Sequence, residues 1–122
     1  MSSYQFSKIC KELNSITDIV DIEVDTNYIK FSVDGKSIIG GITLGNNNSD
    51  DLDLQCEIKT NTKINLSFSL RYLNMFTKAS TVGKQVNLFL SEKFPLLVEY
   101  KIGELGFLKF YLSPRIPDNE EN

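Results

Sequence analysis

The 122-residue chain contains no histidine. That removes the commonest general base near neutral pH and the commonest metal ligand, and it excludes serine-histidine and cysteine-histidine nucleophiles outright. Cysteine is scarce: Cys10 and Cys56 are the two in the chain. Each falls on the apolar side of a local pattern, as a reduced core residue does, and two are too few for a cysteine metal site. No apolar run is long enough to span a bilayer, and MSSYQFSKIC lacks the basic start and greasy middle of a signal peptide. No Walker loop or dinucleotide fingerprint occurs. What remains, 41% hydrophobic and 24% charged, fits one soluble globular domain with a core of modest size.

Positive charge is outnumbered, giving a net charge of -3. Acids gather at Asp50, Asp51 and Asp53 and again at Asp118, Glu120 and Glu121. Taken as a whole, such a molecule repels nucleic acid, so any contact with it must come from a local basic patch.

Residues 4–13 place Phe6, Ile9, Cys10 and Leu13 at helical spacing, with Ser2 or Ser3 available as the cap. The opposite face carries Lys8, Lys11 and Glu12. Between residues 19 and 44 the period drops to two. Val20, Ile22 and Val24 alternate with acids, and Ile29, Phe31 and Val33 alternate with polar residues, which predicts a three-strand meander with one wet side. The turns are expected at Asp25-Thr26-Asn27 and Asp34-Gly35, from residues that tolerate left-handed backbone. Gly40-Gly41 weakens the third strand and marks the close approach of another backbone at an edge. Residues 45–51 read as an exposed loop, and residues 52–58 and 63–68 as a hairpin. A second short helix follows over 70–79, with Leu70, Leu73, Met75 and Phe76 inward and Arg71, Asn74 and Lys78 outward. Strands return at 85–90, 95–102 and 107–112, with Gly103 and Gly106 at the last turn. The halves repeat in element order without repeating in sequence.

Two features stand out as binding surfaces. Lys8, Lys11, Arg71 and Lys78 lie opposite the core-facing positions of the two helices, where they can meet phosphates; a solvated face is the bland explanation. The last strand is apolar on both sides, with Leu108, Phe110 and Leu112 on one and Phe107 and Tyr111 on the other. It is therefore either central in a layered fold or the border of a recognition surface. A metal-dependent hydrolase built on Asp50, Asp51 and Asp53 is an alternative, although the Asn- and Ser-rich loop around them favours a plain connection. A generic protein-interaction module is another.

The segments FSKICKEL, FSVDG, LRYLNMFTKAS and PLLVEYKIGELGFLKFYLSP, with the acidic tail, occur collinearly over nearly the whole chain. In these segments the sequence resembles the carboxy-terminal half of the proliferating cell nuclear antigen family, the eukaryotic DNA sliding clamps. The resemblance implies an α+β half-clamp, with two helices on one face of antiparallel sheets, over residues 1–116, followed by an acidic tail at 117–122. It implies a nuclear, non-enzymatic processivity factor without cofactor, metal or membrane contact. Full-length members form a homotrimeric ring, and the implied partners are double-stranded DNA, DNA polymerase and other clamp-binding-motif proteins, and a clamp loader. Lys8, Lys11, Arg71 and Lys78 then face DNA. The edge formed by Ser37, Ile38, Ile39, Gly40, Gly41, Ile42 and Thr43 pairs with the adjoining subunit. Pro95, Tyr111, Leu112, Ser113, Pro114 and Ile116 line the partner pocket. Two departures accompany these matches. The family's interdomain linker and the strand that opens its second domain precede the position of Met1, so the pocket and one sheet edge are expected to be incomplete. Thr26 stands where eukaryotic clamps usually carry the ubiquitin-accepting lysine.

Overall fold

The structure, a computed structural model, describes residues 1–35, 37–48, 50–51, 56–60 and 62–115. Its first helix, α1 (Ser3–Asn14), starts where the Ser2 side chain accepts a hydrogen bond from the Gln5 N–H at 3.0 Å. That bond satisfies one of the backbone donors a helix start leaves open. Phe6, Ile9, Cys10 and Leu13 are buried, as their spacing requires.

The meander follows as β1 (Ile19–Val24), β2 (Tyr28–Asp34) and β3 (Ile39–Gly45), paired antiparallel. After it come β4 (Ile64–Ser69), α2 (Leu70–Phe76), a 3-10 turn (Thr77–Thr81), β5 (Val86–Phe89), β6 (Leu96–Ile102) and β7 (Gly106–Leu112). One sheet has the order β3-β2-β1-β4 and the other β5-β6-β7. The second sheet's order is sequential; the first borrows β4 from the later half of the chain.

The sheet pairing corrects one expectation. β4 pairs with β1 along its whole length, from Ile19 opposite Ser69 to Val24 opposite Ile64, and among the described residues it forms no hairpin with the segment before it. Phe68, inward on β4 and fully buried, explains the preference, because the alternation of β4 matches the buried Val20 and Ile22 of β1. Cys56 instead bridges Asn47, with the backbone groups of the two residues exchanging hydrogen bonds at 2.7 and 3.0 Å. The remainder of the expected strand, residues 52–55, lies outside the described residues.

Turn chemistry differs as well. No described non-glycine residue has a positive φ; Gly103 and Gly106 do, at 48° and 139°, in the β6-β7 turn. The β1-β2 turn closes without left-handed backbone, through the Asp25 N–H donating to the Tyr28 carbonyl and the Asp25 carboxylate accepting from the Thr26 N–H.

Aromatic contacts tie the layers together. Phe6 of α1 meets Phe31 of β2 edge-on, with ring centroids 6.4 Å apart. Phe76, at the end of α2, stacks on Phe110 of β7 at 4.8 Å, and Phe110 meets buried Tyr100 edge-on at 6.2 Å. One core cluster joins both helices to both sheets.

Candidate functional site

Both helices lie on the same layer, and one side chain locks them together. The Asn74 amide donates to the Cys10 carbonyl of α1 at 3.1 Å and to the Leu70 carbonyl at 2.9 Å. Asn74, expected on the outer face, is therefore half-buried between the helices, where it supplies a donor to backbone oxygens that packing removes from water. Met75, expected inward, is 52% exposed instead. The cause is plain helical geometry: at about 100° per residue Met75 lies about 200° round α2 from buried Leu73, on the opposite side.

Lys8 and Lys11 are exposed on α1, Arg71 on α2 and Lys78 on the 3-10 turn. A shallow hollow of about 460 Å³ is lined by Tyr4, Lys8 and Lys11 from α1 together with Ser80, which places the turn carrying Lys78 beside the basic face of α1. Arg71 precedes Lys78 by two nominal helical turns on the outer side of its own segment. Among the described residues none of the four is ion-paired, whereas Lys59, Lys63 and Lys109 pair with Glu57, Glu23 and Glu99. The helical segments carry Glu12 as their one carboxylate. In an acidic molecule this concentrates uncompensated positive charge on one layer. Tyr4 and Tyr72 are 64% and 50% exposed on the same layer, a feature that helical periodicity did not single out.

The segment Ser37–Thr43 runs into β3, the outer strand of the four-stranded sheet, and Ile38 and Ile39 are exposed at its start. Gly41 packs closely on its own sheet: a Cβ there would lie 3.3 Å from the Phe31 carbonyl oxygen. The other sheet ends in β7, so β3 and β7 are each the outer strand of a sheet among the described residues.

Register brings the pocket candidates together. Leu96 lies opposite Leu112, so Pro95 and Ser113 continue the pair one step further. Tyr111 is 63% exposed, Leu112 and Pro114 are half-buried, and Pro95 and Ser113 are exposed. Beyond β7 the chain leaves its sheet, and the Arg115 N–H donates to the Ser67 carbonyl of β4 at 2.7 Å, which pins the exit segment across the other sheet. Ile116 lies outside the described residues. So does Asp53; Asp50 and Asp51 are exposed.

A family model, proliferating cell nuclear antigen, C-terminal domain, matches residues 1–115. The chain belongs to that family. It is a sliding-clamp domain, and the family's members are non-enzymatic processivity factors in DNA replication that work with DNA, polymerases and clamp-binding proteins as trimers. The two helices over antiparallel sheets of four and three strands agree with an α+β clamp half-fold.

Proposed function

We propose that this domain contacts duplex DNA without sequence preference through Lys8, Lys11, Arg71 and Lys78, and docks replication and repair proteins beside Tyr111. The observation that carries this reading is the layer of exposed cations, without an ion-pair partner among the described residues, on the joined helices of an otherwise acidic chain. Flexible cations facing phosphates give attraction without base readout, which is what a protein that slides along DNA requires.

Pro95, Tyr111, Leu112, Ser113 and Pro114 supply an apolar, partly exposed patch for a motif with aromatic anchors, and Ile116 is the remaining member of that set. The edge from Ser37 to Thr43 pairs with β7 of a neighbouring subunit, continuing a sheet from one molecule to the next through backbone hydrogen bonds. The site of action is the nucleus, and the domain performs no catalysis of its own.

Fluorescence anisotropy of a labelled duplex, titrated at several salt concentrations, tests the DNA reading. Replacing the four cations with alanine is expected to weaken binding equally on unrelated sequences, and to lower the magnitude of the log-log salt slope by about one for each phosphate that is no longer neutralised. An unchanged affinity and slope would refute it.

A further inference from the structure

Several hydroxyls of the helical layer bond to their own turns. Thr77 donates to the Asn74 carbonyl at 2.7 Å, Thr81 to the Lys78 carbonyl at 3.3 Å and Ser15 to the Glu12 carbonyl at 2.6 Å. Among the described residues the hydroxyls of Tyr4 and Ser80 make no hydrogen bond. Both residues line the shallow hollow between α1 and the 3-10 turn. Tyr4 is 64% exposed, so burial of its ring does not account for its place there.

Tyr4, Lys8 and Lys11 stand at i, i+4 and i+7 of α1, one stripe of the helix surface. Ser80 comes to that stripe from the 3-10 turn, and Ser7 and Glu12 complete the lining. Two ammonium groups against one carboxylate leave the hollow net positive. Its two sides are tied to each other just past the turn, where the Ser3 hydroxyl of α1 donates to the Gly83 carbonyl at 2.5 Å and the Ser3 N–H to the Lys84 carbonyl at 2.9 Å. The donors therefore keep their spacing when a ligand arrives.

We propose that this hollow seats one backbone phosphate of duplex DNA, with the Tyr4 and Ser80 hydroxyls donating to its oxygens and Lys8 and Lys11 supplying the charge; the seat rests on the DNA contact proposed above and adds two neutral donors to its four cations. The two kinds of group act differently. A lysine that neutralises a phosphate releases counterions, so its share of the affinity fades as salt rises, whereas a hydroxyl bonded to a phosphate oxygen releases none and keeps its share. A bond to an ionised oxygen is also shorter and stronger than a neutral one. Because these hydroxyls meet the backbone and no base edge, the contact stays free of sequence preference. The seat therefore holds the duplex at one point of the layer after salt has weakened the remaining contacts.

The test is fluorescence anisotropy of a labelled duplex with the full chain over a salt series, comparing Tyr4→Phe, Ser80→Ala and Lys8→Ala. Tyr4→Phe and Ser80→Ala are each expected to weaken binding about two- to tenfold at every salt concentration, with the log-log salt slope unchanged. Lys8→Ala is expected to lower the magnitude of that slope by about one. In NMR titrations the duplex should shift the Tyr4 ring and the Ser80 amide, and inorganic phosphate at equal ionic strength should not. Saturation of those shifts by inorganic phosphate alone would make the hollow a small-anion site and overturn the proposal. So would a Tyr4→Phe variant that binds like the unaltered chain; were Tyr4→Ala weak beside it, the ring and not the hydroxyl would be the contact. If replacing the four cations flattens the salt dependence while Tyr4→Phe has no effect, the DNA reading stands and the seat falls. If the unaltered chain binds no duplex, both fall.

Discussion

The four-stranded sheet receives β4 from the other half of the chain, and the three-stranded sheet receives the backbone of Met1 and Ser2 at the corresponding place beside β5. On the complete side the added strand brings Phe68, fully buried, into the core and carries the chain straight into α2. On the other side a cavity of about 620 Å³ along β5 is lined by apolar residues such as Ile29, Ile64 and Leu88 together with polar and charged ones such as Glu57, Lys59 and Gln85. The difference shows how the halves depend on each other. β4 belongs to the second half by sequence and to the first sheet by hydrogen bonding, so neither sheet can be taken apart without disturbing the other.

The largest expected effect breaks that dependence. Phe68→Ala removes a fully buried ring from the borrowed strand and should cost about 3–5 kcal/mol. Urea unfolding followed by a probe on each sheet should show both moving together to lower denaturant. Loss of the first sheet alone would mean that the halves fold independently.

A smaller effect sharpens the view of the second sheet. Gly83 accepts the Ser3 hydroxyl at 2.5 Å, and a Cβ placed on it would lie 2.8 Å from the Lys101 carbonyl oxygen. This junction presses the start of α1 against β6, and Gly83→Ala should cost about 1–3 kcal/mol, read as a lower thermal midpoint. An unchanged midpoint would mean that the junction between α1 and the second sheet is soft.

At neutral pH the smallest effect concerns the core between the sheets, because it emerges only in alkali. Burial pushes the Cys10 thiol from 9.0 up to about 12, and it also raises Cys56 and Tyr100. For Cys10 the folded state holds its proton more tightly than the unfolded chain. Its contribution is therefore complete below about pH 9 and is lost as pH rises toward about 12, at about 1.4 kcal/mol per pH unit. Denaturant titrations across that window should show stability falling, and Cys10→Ala should flatten part of the slope. A slope unaffected by Cys10→Ala would show that the thiol is not shielded from water.

Hydrophobic periodicity makes α1, the meander and the last two strands legible, because each buries one face and alternates accordingly. It also leads to the open edge at β3, through Gly40-Gly41. It does not reveal the partner of β4, since the alternation of a strand says which side is inward and nothing about which neighbour lies beside it. Asn74 and Met75 show the same limit on α2. On so short a helix one apolar residue, Met75, falls opposite the buried Leu73, and a polar side chain between two helices looks the same in sequence as one in water. Among the candidate residues, the cations could be read as outward from their positions opposite the core. Their shared layer, and their freedom from carboxylates among the described residues, could not.

The order of residues by itself determined the local elements, the acidic balance, the absence of histidine chemistry and the family resemblance, because each depends on neighbours in the chain or on composition. Tertiary structure decided that β4 crosses to the first sheet, that Asn74 joins α1 to α2, and that the backbone of Met1 pairs with β5. Those outcomes arise from contacts between residues far apart in sequence. There, burial of apolar surface and satisfaction of backbone hydrogen bonds select one pairing among several that local pattern allows.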